Sequence, residues 1–245
     1  MKECGNVRYV ALVPAAGVGS RMRAAIPKQY LPLAGQTVLW HALRALSSTP
    51  RIEHVWLVLG EQDAFFDRYD STAFAGRLTP LRCGGPSRAA SVLAGLQAMR
   101  SQVDARDWVL VHDAARPCVT VELIDRLIDE VGEDDAGGIL AVPLADTLKR
   151  ADEDGRIVET VPREGLWAAQ TPQMFRHGML LEALSNTKLD PITDEASAME
   201  PRGVKPKLVM GSPRNVKITM PQDLEEAQRV VLTDWTASTL DRAGG

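Results

Sequence analysis

Short, unbroken apolar runs alternate along this chain with stretches in which apolar residues recur every three or four positions. Residues 10–13, 55–59, 108–111 and 139–142 are compact runs rich in Val, Ile and Leu. That is the composition of strands buried on both faces. Between them lie helical patterns. "TVLWHALRAL" sets Val38, Leu39, Ala42, Leu43 and Leu46 on one stripe behind Thr37, a residue type suited to an N-cap. "TVELIDRLIDEVG" repeats the arrangement with Leu123, Ile124, Leu127, Ile128 and Val131 facing inward, Thr120 in the cap position and Gly132 at the end. "SRAASVLAGLQAM" makes a third helix. Strands alternating with helices predict an α/β fold, a mostly parallel sheet with helices on both faces.

One stretch breaks the rhythm. "DTLKRADEDGRIVETV" holds two short alternating runs, 147–150 and 156–161, joined by the acidic turn 152–155, which is a hairpin pattern. An isolated two-stranded hairpin is marginal in water, so another subunit or the body of the domain must hold it. Downstream, the pattern predicts helices over 177–185 and 194–199 and short strands over 207–210 and 216–218. A last helix over 221–232 opens on Pro221, where a missing N–H costs nothing. No linker or repeat interrupts the chain. It reads as one domain over 1–232 with an arm protruding at about 144–170, followed by a flexible tail over 233–245.

Charge and composition narrow the function. The net charge is −4, which argues against a general nucleic-acid binder, so any anion must be met by a local cluster of Arg and Lys. The cysteines Cys4, Cys83 and Cys118 are odd in number and lack C-x-x-C spacing, as in reduced thiols of the cytoplasm. The histidines show no zinc spacing. "VRYVALVPAAG" is too short an apolar run for a cleaved leader, and no segment approaches the roughly 20 apolar residues of a membrane span.

The candidate chemistry lies in "PAAGVGSRMRAAIPKQY", directly after the first strand. A P-loop needs G-x-x-x-x-G-K-[ST], but Lys28 sits between Pro27 and Gln29. A dinucleotide fingerprint needs a third glycine where this chain has Met22, and an acid about 20 positions on, where none occurs before Glu53. A triphosphate cradle fits better. Ala15, Ala16, Gly17 and Gly19 let backbone N–H groups approach phosphates closely, and Arg21 and Lys28 add positive charge. Cleaving a phosphoanhydride requires charge to be neutralised on the transferred phosphorus and the leaving group, so two cations here suit cutting more than holding. Arg21 and Lys28 as solvated surface charges are the alternative.

"PAAGVGSRM" followed by "PKQY" resembles the polyol-phosphate cytidylyltransferases. The resemblance runs on through "GGPSRAASVLAGL", "VLVHDAARP", "DTLKR", "GLWAAQTPQMF", "ITDEASAME" and "NVKIT", in order. It implies a Rossmann-like nucleotidyltransferase that moves CMP from CTP onto 2-C-methyl-D-erythritol 4-phosphate in non-mevalonate isoprenoid biosynthesis, releasing pyrophosphate. Carried over residue by residue, Ala15, Ala16, Gly17, Gly19 and Lys28 line the CTP phosphates, and Gly84, Gly85 and Ser91 read the base and ribose. Arg21 and Lys28 stabilise the transition state. Asp113 and Arg116 contact the polyol phosphate with Thr147 and Thr193 in support, and Arg163 and Lys217 hold the attacking phosphate in line. The resemblance also implies a homodimer in which the hairpin arm crosses to the partner, so that Arg163 serves the neighbouring site. Magnesium is expected on the CTP phosphates rather than on dedicated protein ligands. This chain has Pro86 after the glycine pair, where the family carries an acidic or polar residue; a proline there removes a backbone N–H near the nucleotide.

Other readings stay open at this level. A ribitol-5-phosphate cytidylyltransferase would share the nucleotide motifs. A Rossmann oxidoreductase lacks its third glycine and its acid, and a non-catalytic nucleotide-binding module leaves the cations unexplained. Asp113 alone also fits a turn before a helix, and Thr147 and Thr193 fit strand and cap positions. His112, Trp40, Trp167, Cys83 and Cys118 read as structural.

Overall fold

The computed structural model describes residues 7–17, 26–190 and 192–243. Its centre is a seven-stranded sheet. The strands in it are β1 (Tyr9–Pro14), β4 (Ile52–Val58), β5 (Leu78–Leu81), β6 (Trp108–Val111), β7 (Gly138–Pro143), β10 (Trp167–Arg176) and β11 (Lys207–Met210). The short strands β2 (Pro32–Leu33) and β3 (Gln36–Thr37) pair with each other, as do β8 (Leu148–Ala151) and β9 (Ile157–Val161). The spatial order is β11-β7-β10-β6-β1-β4-β5. All neighbours are parallel except β10, which runs antiparallel to both β6 and β7. From β1 the chain steps outward to β4 and β5 and then returns to β6 on the other side of β1. The β1–β6 boundary is therefore the switch point, where open α/β sheets place ligands.

Strict alternation within the strands feeds two separate cores. On one face Ala11, Val13, Val55, Leu57 and Leu110 pack with α1 (Val38–Ser48) and α3 (Val121–Val131). On the other, Val10, Leu12, Val58, Val109 and Val111 pack with α2 (Arg88–Met99), α4 (His177–Ser185) and α5 (Glu195–Met199). The caps form as the sequence pattern predicts: Thr37 accepts from the Trp40 N–H, Thr120 from Leu123, and Gly132 ends α3. Each threonine cap satisfies an otherwise orphaned helical donor, and the Gly132 N–H donates to the Ile128 carbonyl.

Several expectations change. Strand β10 lies outside the predicted strands; its Pro172 would argue against a central strand, and the sheet accommodates it by a register shift between Ala169 and Gln173. Since Trp167–Ala169 pairs with β7, that part of the 144–170 arm belongs to the sheet. The protruding hairpin is β8–β9, a separate sheet with Ile157 and Val158 exposed. Residues 216–218 form no strand. Their polar groups are engaged elsewhere: the Ile218 N–H donates to the Ala115 carbonyl, and Lys28 Nζ donates to the Ile218 carbonyl. Finally, α6 (Pro221–Ala243) continues past residue 232. No described helix is long and apolar enough to cross a membrane.

The approach of α2 to the sheet is set at Gly95. A Cβ there would lie 2.6 Å from Val58 Cγ2 and 2.8 Å from Leu12 Cδ1. Gly95→Val should therefore destabilise the fold by about 1–3 kcal/mol, as overpacking does. A urea titration of the variant against wild type measures the loss; an unchanged midpoint would mean that the Leu12 and Val58 side chains turn aside without cost.

Candidate functional site

A cleft of about 580 Å³ opens at the C-terminal ends of β1 and β6. It gathers Ala15, Ala16 and Gly17 from the loop after β1, Lys28 and Gln29 from the following 3-10 turn, and Gly85, Pro86, Ser87, Arg88 and Ser91 from the start of α2. Asp113, Ala114 and Ala115 come from the loop after β6, and Lys217 and Thr219 from the segment before α6. Backbone of small residues thus faces basic side chains, with the Asp113 carboxylate between them.

The loop after β1 is fixed from several sides. The Ala15 N–H donates to the Val58 carbonyl at 2.8 Å, and the buried Gln29 side chain donates Nε2 to the Ala15 carbonyl at 2.7 Å. Gly84 packs directly against Ala16: a Cβ on it would run into the Ala16 Cβ and sit 2.7 Å from the Leu59 carbonyl oxygen. Gly84 is therefore a close-approach position behind the cleft. Gly85 donates its N–H to Ser91 Oγ at 3.1 Å, while that hydroxyl donates to the Ser87 carbonyl at 3.0 Å, tying the glycine pair to α2.

Asp113 is the electrostatic centre. Oδ1 accepts from Arg88 Nε at 2.6 Å, and Oδ2 lies 2.7 Å from Lys217 Nζ. Burial by itself would raise the Asp113 carboxyl, but Arg88 and Lys217 more than reverse this and hold it well below the usual carboxylate range. Arg88 also grips Glu195 through both terminal nitrogens, at 2.6 and 2.9 Å. Burial lifts the Glu195 carboxyl above its ordinary value, and Arg88 pulls it only part of the way back. Both oxygens accept from the guanidinium fork, the geometry of an ionised carboxylate.

Beneath Asp113 runs a directed hydrogen-bond chain. The Arg116 carbonyl can only accept, so His112 Nε2 carries the proton and donates to it at 3.0 Å. Nδ1 then accepts from the Thr171 hydroxyl at 3.0 Å, and that oxygen accepts the Asp113 N–H at 3.0 Å. Burial pushes the His112 imidazole down to about 4, keeping it neutral. His112 is thus structural, as its sequence context suggested.

The sequence-predicted residues divide into groups. Ala15, Ala16, Gly17, Lys28, Gly85, Ser91, Asp113 and Lys217 meet in one cleft. Gly19 and Arg21 lie outside the described residues. Arg116 follows the lining residues but is itself buried, donating to the Asn215 carbonyl at 2.7 Å and the Ala169 carbonyl at 3.3 Å. Thr147 and Arg163 are exposed, just before β8 and just after β9, and neither lines the cleft. Thr193 is exposed beside the α5 cap, its N–H donating to Ser197 Oγ at 3.2 Å. Residues not singled out from sequence are Arg88, Glu195, Gln29 and Asn215. Arg88 carried a signal, since a basic residue in the first turn of a helix opposes the helix dipole and needs compensation from elsewhere.

Among the described residues no group of three or more His, Cys, Asp or Glu side chains gathers to hold a metal ion. Asp113, the carboxylate lining the cleft, already has a cation on each oxygen. Such a donor set suits a metal that arrives on phosphate oxygens better than one caged by protein.

The 2-C-methyl-D-erythritol 4-phosphate cytidylyltransferase family profile matches residues 9–233. The enzymes of that name from Nitrosomonas eutropha and Dechloromonas aromatica are each 52% identical, over 92% and 91% of this chain and 97% of their own lengths. A crystal structure of 4-diphosphocytidyl-2C-methyl-D-erythritol synthase superposes with a TM-score of 0.82 at 39% identity, covering 92% of this chain and all of that one.

The buried neutral histidine has a pH consequence. Its folded value near 4 lies below the ordinary 6.5, so between these values the unfolded chain binds the extra proton. The stability due to His112 is complete above about 6.5 and is lost as the pH falls toward about 4. Thermal melts across that window should show His112→Gln losing less stability with acid than wild type; parallel curves would contradict the assignment.

Proposed function

The chain belongs to the 2-C-methyl-D-erythritol 4-phosphate cytidylyltransferase family and is a cytidylyltransferase of isoprenoid biosynthesis, and we propose that the cleft between β1, α2 and β6 is where it joins CTP to its polyol phosphate. The observation that carries this reading is that small-residue backbone, Lys28, Lys217 and the Asp113 carboxylate share one cavity. Ala15, Ala16, Gly17 and Gly19 would cradle the triphosphate. Gly85 and Ser91 would form the base and ribose side, with Gly84 setting how closely that side approaches Ala16. Pro86 also lines the cavity and offers no N–H to the nucleotide.

The reaction needs no general base, because the nucleophile is already a phosphate oxygen. It attacks the α-phosphorus of CTP, a new P–O–P bond forms, and the α–β anhydride breaks to release pyrophosphate. The protein's task is to bring two anions together in line and to neutralise the charge that develops. Lys28 and Lys217, with Arg21 from the loop, are suited to that. Lys217 Nζ is held by Asp113 and Lys28 Nζ by the Ile218 carbonyl, so both ammonium groups are oriented before substrate arrives. Magnesium carried by the triphosphate would add charge neutralisation on its phosphate oxygens. Asp113, supported by Arg116 and Thr193, would receive the polyol, and the Cys83 thiol suits work in the cytoplasm.

Thr147 and Arg163 enter this scheme through a second copy of the chain. They flank a hairpin that carries exposed Ile157 and Val158, and in one chain they stay outside the cleft. In a homodimer with exchanged arms, each would complete the partner's site.

Lys217→Ala and Arg163→Ala should each lower kcat by about 10²–10³-fold, read as pyrophosphate release from CTP and 2-C-methyl-D-erythritol 4-phosphate. Refolding the two inactive variants together tests the exchange. Random assortment gives mixed dimers with one intact site, restoring about a quarter of wild-type activity. No recovery would mean that Arg163 acts within its own chain. Activity with ribitol 5-phosphate alone would overturn the polyol assigned to the cleft.

A further inference from the structure

Arg88 and Glu195 have no part in the reaction as described, yet they form the most heavily buried charge contact beside the cleft. Arg88 opens α2 with no acidic residue in that helix's first turn, so its charge faces the positive end of the helix dipole uncompensated within the helix. The compensation comes from two other elements: Asp113 after β6, and Glu195 in the first turn of α5. Glu195 is 2% exposed. It follows the Asp194 cap, whose Oδ2 accepts from Gln173 Nε2 at 2.8 Å, while Gln173 Oε1 accepts the Ala196 N–H at 3.0 Å. The start of α5 is thereby fixed to β10, and Glu195 with it.

The three contacts of Arg88 are unequally shared. Glu195 takes both terminal nitrogens and leaves Nε for Asp113. An ionised carboxylate offers about four lone-pair directions. With Arg88 on one oxygen and Lys217 on the other, Asp113 keeps acceptor capacity for a hydroxyl. A guanidinium freed from Glu195 could turn its two-pronged edge onto Asp113 and cover both oxygens, since that bidentate geometry is the strongest it can make.

We propose that Arg88 and Glu195 are a positioning pair for Asp113: the guanidinium, restrained by Glu195 to a single contact, fixes the orientation of the carboxylate and leaves it open to a hydroxyl of the polyol phosphate, so that loss of the restraint and loss of the whole pair both misplace it. This rests on the reading of Asp113 as a polyol contact. The pair acts on the polyol side of the cleft, although Arg88 itself belongs to the helix that starts at the nucleotide side.

Steady-state kinetics of the full chain test it, with each substrate varied in turn. Glu195→Gln should raise the KM for 2-C-methyl-D-erythritol 4-phosphate about tenfold, the effect of one hydrogen bond to a charged group, with kcat and the KM for CTP changed less than about twofold. A purely structural role would not select one substrate's KM. The double variant Arg88→Met with Glu195→Leu removes the buried pair together, which folds tolerate better than loss of one partner. Once a cooperative melt shows it folded, it should show the same selective rise, and it decides the matter if Glu195→Gln does not fold. An unchanged polyol KM in the folded double variant, or a CTP KM rising in step, would overturn the positioning role. Asp113→Asn separates the two levels. If it raises the polyol KM and the double variant does not, the positioning inference fails alone; if it leaves that KM unchanged, the inference falls with the reading beneath it.

Discussion

Two carboxylates, Asp113 and Glu195, are buried at the C-terminal end of the sheet and share one guanidinium. Taking such charges out of water costs several kcal/mol each unless every one is paired and hydrogen-bonded. Here Arg88 and Lys217 balance Asp113 and Glu195, and the set is electrically neutral. Neutrality lets it exist, but it also constrains its surroundings. The partners come from α2, the loop after β6, α5 and the segment before α6, so these must hold their relative places for any pair to survive. The cleft is shaped by elements whose mutual positions are fixed by charge rather than by apolar packing alone.

The segment 215–219 shows how the constraint spreads. Asn215 donates Nδ2 to the Thr171 carbonyl at 2.9 Å, and its own carbonyl accepts from Arg116 at 2.7 Å. Two residues on, Lys217 meets Asp113, and Ile218 accepts from Lys28. A stretch with little regular structure therefore joins the cations of two distant parts of the chain. Its order comes from side-chain partners, which is why it lacks a strand's ladder although its sequence alternates like one. The His112–Thr171 chain fixes the Asp113 backbone from below in the same manner.

What could be read from sequence follows the range of the interactions involved. The buried parallel strands, the capped helices α1 and α3 and the hairpin are local matters of periodicity and cap chemistry, and the structure has them. That Ala15, Ala16 and Gly17 line a cleft was legible because a run of small residues directly after a strand stands out from its surroundings. Strand β10 was hidden because Pro172 breaks the local pattern, and only its two antiparallel neighbours and a register shift make room for it. Glu195 was hidden for the opposite reason: an acid in the first turn of a helix is locally ordinary, and only tertiary burial makes it exceptional. Arg88 lay between these cases, locally unfavourable and therefore readable as a residue with a distant partner.

The hairpin extends the same reasoning beyond one chain. Among the described residues, strands β8 and β9 pair only with each other, and Ile157 and Val158 stand 68% and 61% exposed upon them. Two strands alone are marginal in water, and exposed β-branched residues add nothing to hold them there. The cleft for its part is lined by Lys28, Arg88 and Lys217, yet within one chain it receives neither Arg163 nor Thr147. An arm with uncovered apolar residues and a cleft that its own Arg163 does not reach are complementary features. In the arm-exchanged dimer proposed above, a second copy would cover the hairpin and bring Arg163 to the cleft in one step, and it is this coincidence of an uncovered arm with a cleft that its own Arg163 does not reach that carries the proposal.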